Sequence, residues 1–334
     1  MFFDLSSSPR RLDTLLRELP PTPETGWLPP AQWPDLTGAA IIGYDCETKE
    51  TDFDHGPGWG RGEGHIIGVS LSAVWSNNMR GKWYFPVRHE VDRGMNLDTQ
   101  IFFRYLKEQL ETPIPKVGAN LIYDYGWLTS ENICPQGKQY DVQFAEALLD
   151  DEARTALDNL GHKYIKRGKF KDECKEWIKR AYPRSNEVNW RSFLWRTSPR
   201  LVGPYAEDDA DLPIDILWAQ WPLLAEQNLL DLFEMECKQL PLLVKMRQPG
   251  IPVHIARAEE IRAKLCVEIG ELYTALSHKA GTKIENVMAA SQLVKVFDAA
   301  NIAYPRTAKG APSFQKEWLK LLSDDTKRDP FGVG

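Results

Sequence analysis

Long apolar runs are missing from this chain of 334 residues. No stretch approaches ~20 uninterrupted apolar residues, so no membrane-spanning helix and no membrane partner are expected. The opening Met1-Phe2-Phe3-Asp4-Leu5-Ser6 lacks the basic-then-apolar order of a secretory leader. Cysteine is scarce: Cys46, Cys134, Cys174, Cys237 and Cys266 are odd in number, scattered, and never spaced as CxxC. Neither a disulfide framework nor a zinc site is suggested, and a reducing cytoplasm fits. Histidine is also rare, with six in all and no clustering that marks a metal site or an acid–base pair. An excess of positive charge is absent too, since the net charge is −6, which argues against a generally basic nucleic-acid binder. What is there, 43% apolar and 26% charged residues, is ordinary for a globular protein, and the length allows two domains.

Charge is nevertheless uneven. From His162 to Arg200 there are twelve Lys/Arg against four Asp/Glu, interleaved with Tyr164, Phe170, Trp177, Tyr182, Trp190, Phe193 and Trp195. Cations suit phosphates and flat rings suit bases, the combination a single strand needs; a lysine-rich helix with core aromatics has the same composition.

Residues 1–38 are Pro-rich and read as an extended arm or short helix without chemistry of its own. Gly38 then opens an apolar run from Ala39 to Tyr44, read as a buried strand ending at Asp45. The Gly-rich loop His55–Gly64 lacks the spacing of a phosphate-cradling loop. Strands are expected over 65–75, 82–87, 115–118 and 139–142. Helices are expected over 97–110, with Asn96 or Asp98 as cap, over 121–128, and onward to Leu149. Mostly helical sequence follows. The order predicts an α/β domain with a mixed sheet flanked by helices, then a C-terminal helical region.

Along a strand, residues i and i+2 share a face, so Asp45 and Glu47 point together and Cys46 points away. Two adjacent carboxylates repel, and a divalent cation removes that conflict. An acidic pair at a strand end is commonplace, and only further carboxylates coming to meet it give it weight. Asp124 lies just after the fourth strand, on the first turn of a helix, with Asn120 at the junction where a side-chain amide can fix the turn. Tyr205 and Asp209, four apart on a long helix, project together. Asp208 and Asp211 fall on other faces and read as solvent-facing or capping. Convergence of Asp45, Glu47, Asp124 and Asp209 would be prohibitive without metal, and hard oxygen ligands favour Mg2+ or Mn2+.

The blocks Tyr44-Asp45-Cys46-Glu47-Thr48, Lys116-Val117-Gly118-Ala119-Asn120-Leu121-Ile122-Tyr123-Asp124 and Tyr205-Ala206-Glu207-Asp208-Asp209-Ala210-Asp211 resemble the three exonuclease motifs of the DEDD superfamily. A Tyr four before the last Asp marks the Tyr subclass. The chain is most similar to the 3′–5′ proofreading domain of bacterial or phage family A DNA polymerases. The resemblance implies a ribonuclease H-like domain over 39–235. Beyond it, Met246–Val253 and Thr307–Ser313 resemble the start of a polymerase thumb, here 236–334. No palm or fingers follow, so no polymerase active site is expected.

The resemblance further implies metal-dependent 3′→5′ hydrolysis of DNA, in single strands or at a frayed primer end, by Asp45, Glu47, Asp124, Tyr205 and Asp209. Asp45, Glu47 and Asp209 would hold one divalent ion, and Asp45, with Asp124 through water, a second about 4 Å away. Tyr205 would orient the attacking water, and Asn120, Thr48 and Phe53 would contact substrate. The family commonly places an apolar wedge about four residues after the motif Glu; here Thr51 stands there, with Phe53 two further on. The partner would be a polymerase subunit or the remainder of a polymerase chain, in a bacterial or phage-infected cytoplasm. Two other readings stay open: an RNA-trimming exonuclease of the same superfamily, and a non-catalytic docking module of a split polymerase.

Overall fold

A computed structural model describes residues 19–50, 52, 55–168 and 172–328; Thr51 and Phe53 lie outside them. The chain divides into two compact units, 1–251 and 252–334.

In the first unit, β1 (Ala39–Lys49), β2 (His65–Trp75), β3 (Arg80–Pro86), β4 (Lys116–Gly118) and β5 (Gln139–Asp141) form one sheet in the order β3-β2-β1-β4-β5. β1, β2 and β3 pair antiparallel; β1 with β4 and β4 with β5 pair parallel. This is the mixed sheet expected. β1 does not stop at Asp45. Pairing with β2 continues through a register shift at Glu47/Thr48 to Lys49↔His65, so the acidic pair lies within the strand.

Between β3 and β4 runs α1 (Thr99–Leu110), capped by Asp98, whose carboxylate accepts from the Ile101 amide at 2.9 Å. α2 (Leu121–Ser130) follows β4, and α3 (Val142–Leu149) follows β5. A short α4 (Leu157–Leu160) leads through a π-helical turn to α5 (Asp172–Ala181), and a 3-10 helix spans Trp190–Arg196. The long α6 (Pro199–Glu226) packs against β1, β2, β3 and β4, and α7 (Leu230–Arg247) closes the unit. The expected boundary at 235/236 falls inside α7, whose Phe233, Cys237, Leu240 and Val244 are buried in the first unit.

Alternation along β1 sorts its two faces. Ile42, Tyr44 and Cys46 pack with Phe102 and Leu106 of α1 and Leu121, Tyr125 and Leu128 of α2. Ile41 packs the other way, with Leu212, Ile214 and Leu217 of α6. Gly43 shares that second face. A Cβ there would lie 2.0 Å from the Ala210 carbonyl oxygen, so only glycine lets the α6 backbone come this close. Asp45 and Glu47 follow Gly43 at two-residue spacing and so meet the same helix.

The arm before β1 is extended in its described part, with no helix or strand over 19–36. Trp33 stacks on Phe85 and Phe102, and Trp27 lies against Gly203 of α6. The Gly-rich loop holds one 3-10 turn, Gly58–Gly60, and buries Trp59 against Gly126.

The second unit contains α8 (Ile255–Lys279), α9 (Ala290–Ala299) and α10 (Lys316–Arg328). Its Thr307–Ser313 stretch makes a tight turn. The Gly310 amide donates to the Thr307 carbonyl at 2.8 Å, and Gly310 adopts φ +81°, the left-handed conformation glycine permits.

Candidate active site

Asp45 and Glu47 reach across the β1–α6 contact to Asp209. One carboxylate oxygen from each lies within 4.8 Å of the others. Glu47 and Asp209 are buried and Asp45 is half-buried. Three acids this close, two of them out of water, form a set of hard oxygen donors suited to a small divalent cation.

Asp124 approaches from α2. It sits on the first turn of α2, where the helix dipole favours a carboxylate, and its Oδ1 accepts from the Cys46 amide at 2.8 Å. Burial, followed by the charge of Asp45, still holds its carboxyl well above the usual range. The peptide between Asp45 and Glu47 is thus gripped from behind by the fourth acid, which stands outside the three-oxygen group.

Tyr205 lies one turn before Asp209 on α6 and is buried. Its hydroxyl is pushed well above its ordinary pKa by burial, then by the charges of Asp209 and Glu47. Its Oη accepts from Arg191 Nε at 3.4 Å. Burial works against the Arg191 cation, but Tyr205, Asp209 and Glu47 outweigh it and raise its pKa. Nothing in the residue pattern around Arg191 marks it, because the contact depends on how the 3-10 helix Trp190–Arg196 lies along β1.

Other expected positions behave differently. Asn120 occupies the α2 N-cap in the left-handed region (φ 63°, ψ 43°), which asparagine tolerates, but its side chain makes no capping bond and the residue is exposed. The junction is fixed instead by Asp141. Its carboxylate accepts from the Asn120 amide at 3.2 Å, the Leu121 amide at 2.7 Å and the Gln143 amide at 2.8 Å. Burial lifts its pKa to about 6 against those bonds. Thr48 turns toward α2, its Oγ1 2.7 Å from the Tyr123 hydroxyl, which in turn donates to Glu50 at 2.9 Å. Phe53 lies outside the described residues.

Asp208 and Asp211 are not solvent-facing. Asp208 accepts from Lys82 at 2.9 Å and Arg167 at 3.2 Å; Asp211 accepts from Arg80 at 2.7 Å and Ser72 at 2.7 Å. β3 and the segment before α5 cover that side of α6, so the helix is enclosed on more than its sheet face. Glu207 is also engaged, accepting from Trp27 Nε1 at 2.8 Å.

The basic aromatic stretch changes meaning. Trp177, Trp190, Leu194 and Trp195 are buried in one core cluster with Tyr84, Val202 and Tyr205. These rings build the wall behind the site instead of offering faces to bases. Lys175 and Lys179 are spent on Glu187. Near the strand, Trp195 is sandwiched between Lys49 at 3.9 Å and Arg196 at 4.0 Å.

Residues 71–222 match the family model described as a 3′–5′ exonuclease of DNA polymerase A. Asp124, Tyr205 and Asp209 fall inside that span, and Asp45 and Glu47 precede it. A DNA-directed DNA polymerase of Pseudomonas phage M6 is 28% identical over 308 residues, covering 89% of this chain and 45% of that protein. DNA polymerase I of Pseudomonas aeruginosa is 26% identical over 304 residues, covering 86% of this chain and 30% of the relative. The chain therefore spans less than half the length of these relatives. Among solved structures, the polymerase domain of Pol1 from M. smegmatis, in complex with DNA primer-template and dNTP, superposes with a TM-score of 0.54 at 17% identity. That match covers 86% of this chain and 42% of the other. No helix among the described residues is long and apolar enough to cross a membrane. Residues 71–222 of this chain are thus similar to the 3′–5′ exonuclease domain of family A DNA polymerases.

Proposed function

We propose that this chain removes nucleotides one at a time from the 3′ end of DNA, acting on single strands and on frayed primer ends, with divalent metal. The observation that carries the reading is the meeting of Asp45, Glu47 and Asp209 oxygens within 4.8 Å, beside a buried tyrosine, in an exonuclease domain. The donor set fits Mg2+ or Mn2+. Asp45, Glu47 and Asp209 would hold one ion, and Asp45, with Asp124 through water, a second. Bound there, the metal supplies Lewis-acid activation of water and neutralises charge on the phosphate and the departing 3′ oxygen.

The protein's own groups do the rest. Asp124 grips the Cys46 amide and so fixes how Asp45 and Glu47 project. Tyr205 hydrogen-bonds the attacking water and aims it at the last phosphodiester. The new O–P bond forms as the P–O3′ bond breaks, releasing a nucleoside monophosphate and leaving a 3′ hydroxyl on the shortened strand. Arg196 and Lys49 are the cations on hand for the backbone. DNA is assigned as substrate because the relatives spanning most of this chain are DNA polymerases. Their matches extend past residue 222, which supports reading 236–334 as thumb-like and the remainder of a polymerase as partner.

The test uses single-stranded DNA and RNA, each labelled at the 5′ end, with Mg2+ or EDTA. A descending ladder on DNA that needs metal is expected. Cleavage in EDTA, cuts in circular single strands, or a preference for RNA would overturn the corresponding part of the reading.

A further inference from the structure

Arg191 stands out because its charge is wrong for its address. A guanidinium beside a cluster of acids lowers the affinity of those acids for a metal cation, so its presence calls for a compensating role. Its immediate surroundings are built. The guanidinium lies over the Trp190 ring at 4.9 Å, and Trp190 in turn meets the Tyr205 ring edge-on, with centroids 5.5 Å apart at 71°. Trp190 is buried, and the short 3-10 helix carrying both residues packs along β1. Arginine, tryptophan and tyrosine thus form a triad in which the ring fixes both polar partners.

The direction of the bond matters. Arg191 Nε–H donates and Tyr205 Oη accepts, at 3.4 Å. One lone pair of the phenol is then occupied, which restricts rotation of its O–H. A nearby positive charge also makes that O–H a stronger donor. We propose that Arg191 is a positioning residue, acting through Tyr205 to aim its hydroxyl at the attacking water. The proposal rests on the nuclease reading above. A simpler role, partial neutralisation of the carboxylates, makes a different prediction.

A double-mutant cycle separates them. Arg191→Met keeps the length of the stem and removes the donor. With Mg2+ and single-stranded DNA, it is expected to lower kcat about 10-fold with KM little changed, as for loss of an interaction made in the transition state. In a Tyr205→Phe background the same substitution should change kcat by less than about 2-fold, because the hydroxyl it serves is gone. Arg191→Lys keeps the charge without the planar Nε–H and should stay low. An equal effect of Arg191→Met in both backgrounds, or full activity of Arg191→Lys, means that charge alone matters and overturns the proposal. A second readout needs no activity. In calorimetric titration with Mn2+ alone, Arg191→Met should bind more tightly than wild type, and Tyr205→Phe about equally. Unchanged or weaker binding by Arg191→Met would show that the guanidinium does not face the cluster. Wild-type protein that neither binds Mn2+ nor trims DNA fails the nuclease reading itself and takes this inference with it, whereas an active wild type with an additive cycle fails only the inference.

Discussion

Helix α6 carries acids to two of its sides, and their company differs. On one side Asp209 meets Asp45 and Glu47, acid against acid. On the other, Asp208 and Asp211 meet Lys82, Arg167 and Arg80. Asp208, Asp209 and Asp211 are all buried, so burial does not separate them. What separates them is the make-up of the neighbourhood. Asp208 and Asp211 sit among cations and tie β3 and the segment before α5 to the helix. Asp209 sits in a group of three carboxylates, with the Arg191 cation near enough to feel its charge, a donor set suited to a small divalent cation.

The largest expected effect tests the three-carboxylate side. Asp45→Asn or Asp209→Asn should reduce DNA trimming about 1000-fold or more, through loss of a metal ligand at the reacting phosphate. In melting, the rise that Mn2+ produces in wild type should shrink in Asp45→Asn. An undiminished Mn2+ response would place the metal elsewhere.

The next effect separates Asp124 from Tyr205. Asp124→Ala removes a carboxylate and frees the Cys46 amide, so both charge and the carriage of Asp45 and Glu47 suffer. Tyr205→Phe keeps the ring in its cluster and loses a hydrogen bond, about 10- to 1000-fold in kcat if that bond acts in the transition state. Asp124→Ala should be the more severe, and Tyr205→Phe should retain near-normal DNA binding. Glu226, exposed at the far end of α6, is the proper control on this helix, since Glu207 holds Trp27. Glu226→Ala should trim at the wild-type rate. Equal damage from Tyr205→Phe and Asp124→Ala would deny the two residues separate roles.

The cation-paired side should respond in stability. Asp211→Ala removes the acceptor of Arg80 Nε and Ser72 Oγ and should cost about 1–2 kcal/mol in urea unfolding, less than breaking a wholly buried pair because Arg80 keeps Asp215 and contact with water. Its kcat at a temperature where it remains folded should be near wild type. A large loss of kcat with little loss of stability would erase the contrast between the two sides of α6.

Much of this was legible in the chain. The acidic pair on β1 could be read from two-residue alternation, and the Tyr205–Asp209 pairing from four-residue helical spacing, because both are local periodicities. The five strands and their mixed pairing followed from short apolar runs separated by a helix. What escaped were facts of tertiary enclosure. Asp208 and Asp211 looked outward because a helix in isolation has an outside, yet β3 and Arg167 cover it. The junction role given to Asn120 belongs to Asp141, twenty residues further from Leu121, which β5 pairing brings back to the α2 N-terminus. The aromatics of 162–200 have the composition of a base-stacking surface, but Trp177, Trp190 and Trp195 are consumed by the core and Phe170 lies outside the described residues; composition carries no sign of burial. Arg191 required the path of the 3-10 helix along β1. Thr48 faces Tyr123 because the register shift after Glu47 turns it toward α2.

The smallest effect concerns a buried group with no charge on either side, a reference for both kinds of aspartate. His89 is buried, with Nδ1 2.9 Å from the Thr197 carbonyl and Nε2 2.7 Å from the Tyr84 hydroxyl. The carbonyl can only accept, so Nδ1 carries the proton and Nε2 accepts from Tyr84, which fixes a neutral ring. Burial lowers its pKa to about 4 from about 6.5, the carbonyl bond to Thr197 opposing the shift. The native state therefore binds fewer protons here than the unfolded chain between those values. Stability from His89 is fully present above about pH 6.5 and is lost as pH falls toward 4, by about 1–2 kcal/mol between pH 6.5 and 5. Asp141, with its pKa raised to about 6, works in the opposite sense over the same range, since its native form gains the proton first and favours the folded state as pH falls. The measurement is thus a difference. Urea unfolding of wild type and His89→Gln is followed from pH 7 to 5, with the acids common to both. Gln can donate to Thr197 and accept from Tyr84 but cannot titrate, so the wild type should lose stability faster on acidification. Parallel curves would mean that His89 is protonated in the folded protein, and that a carboxylate facing its ring, as at Asp208, balances it.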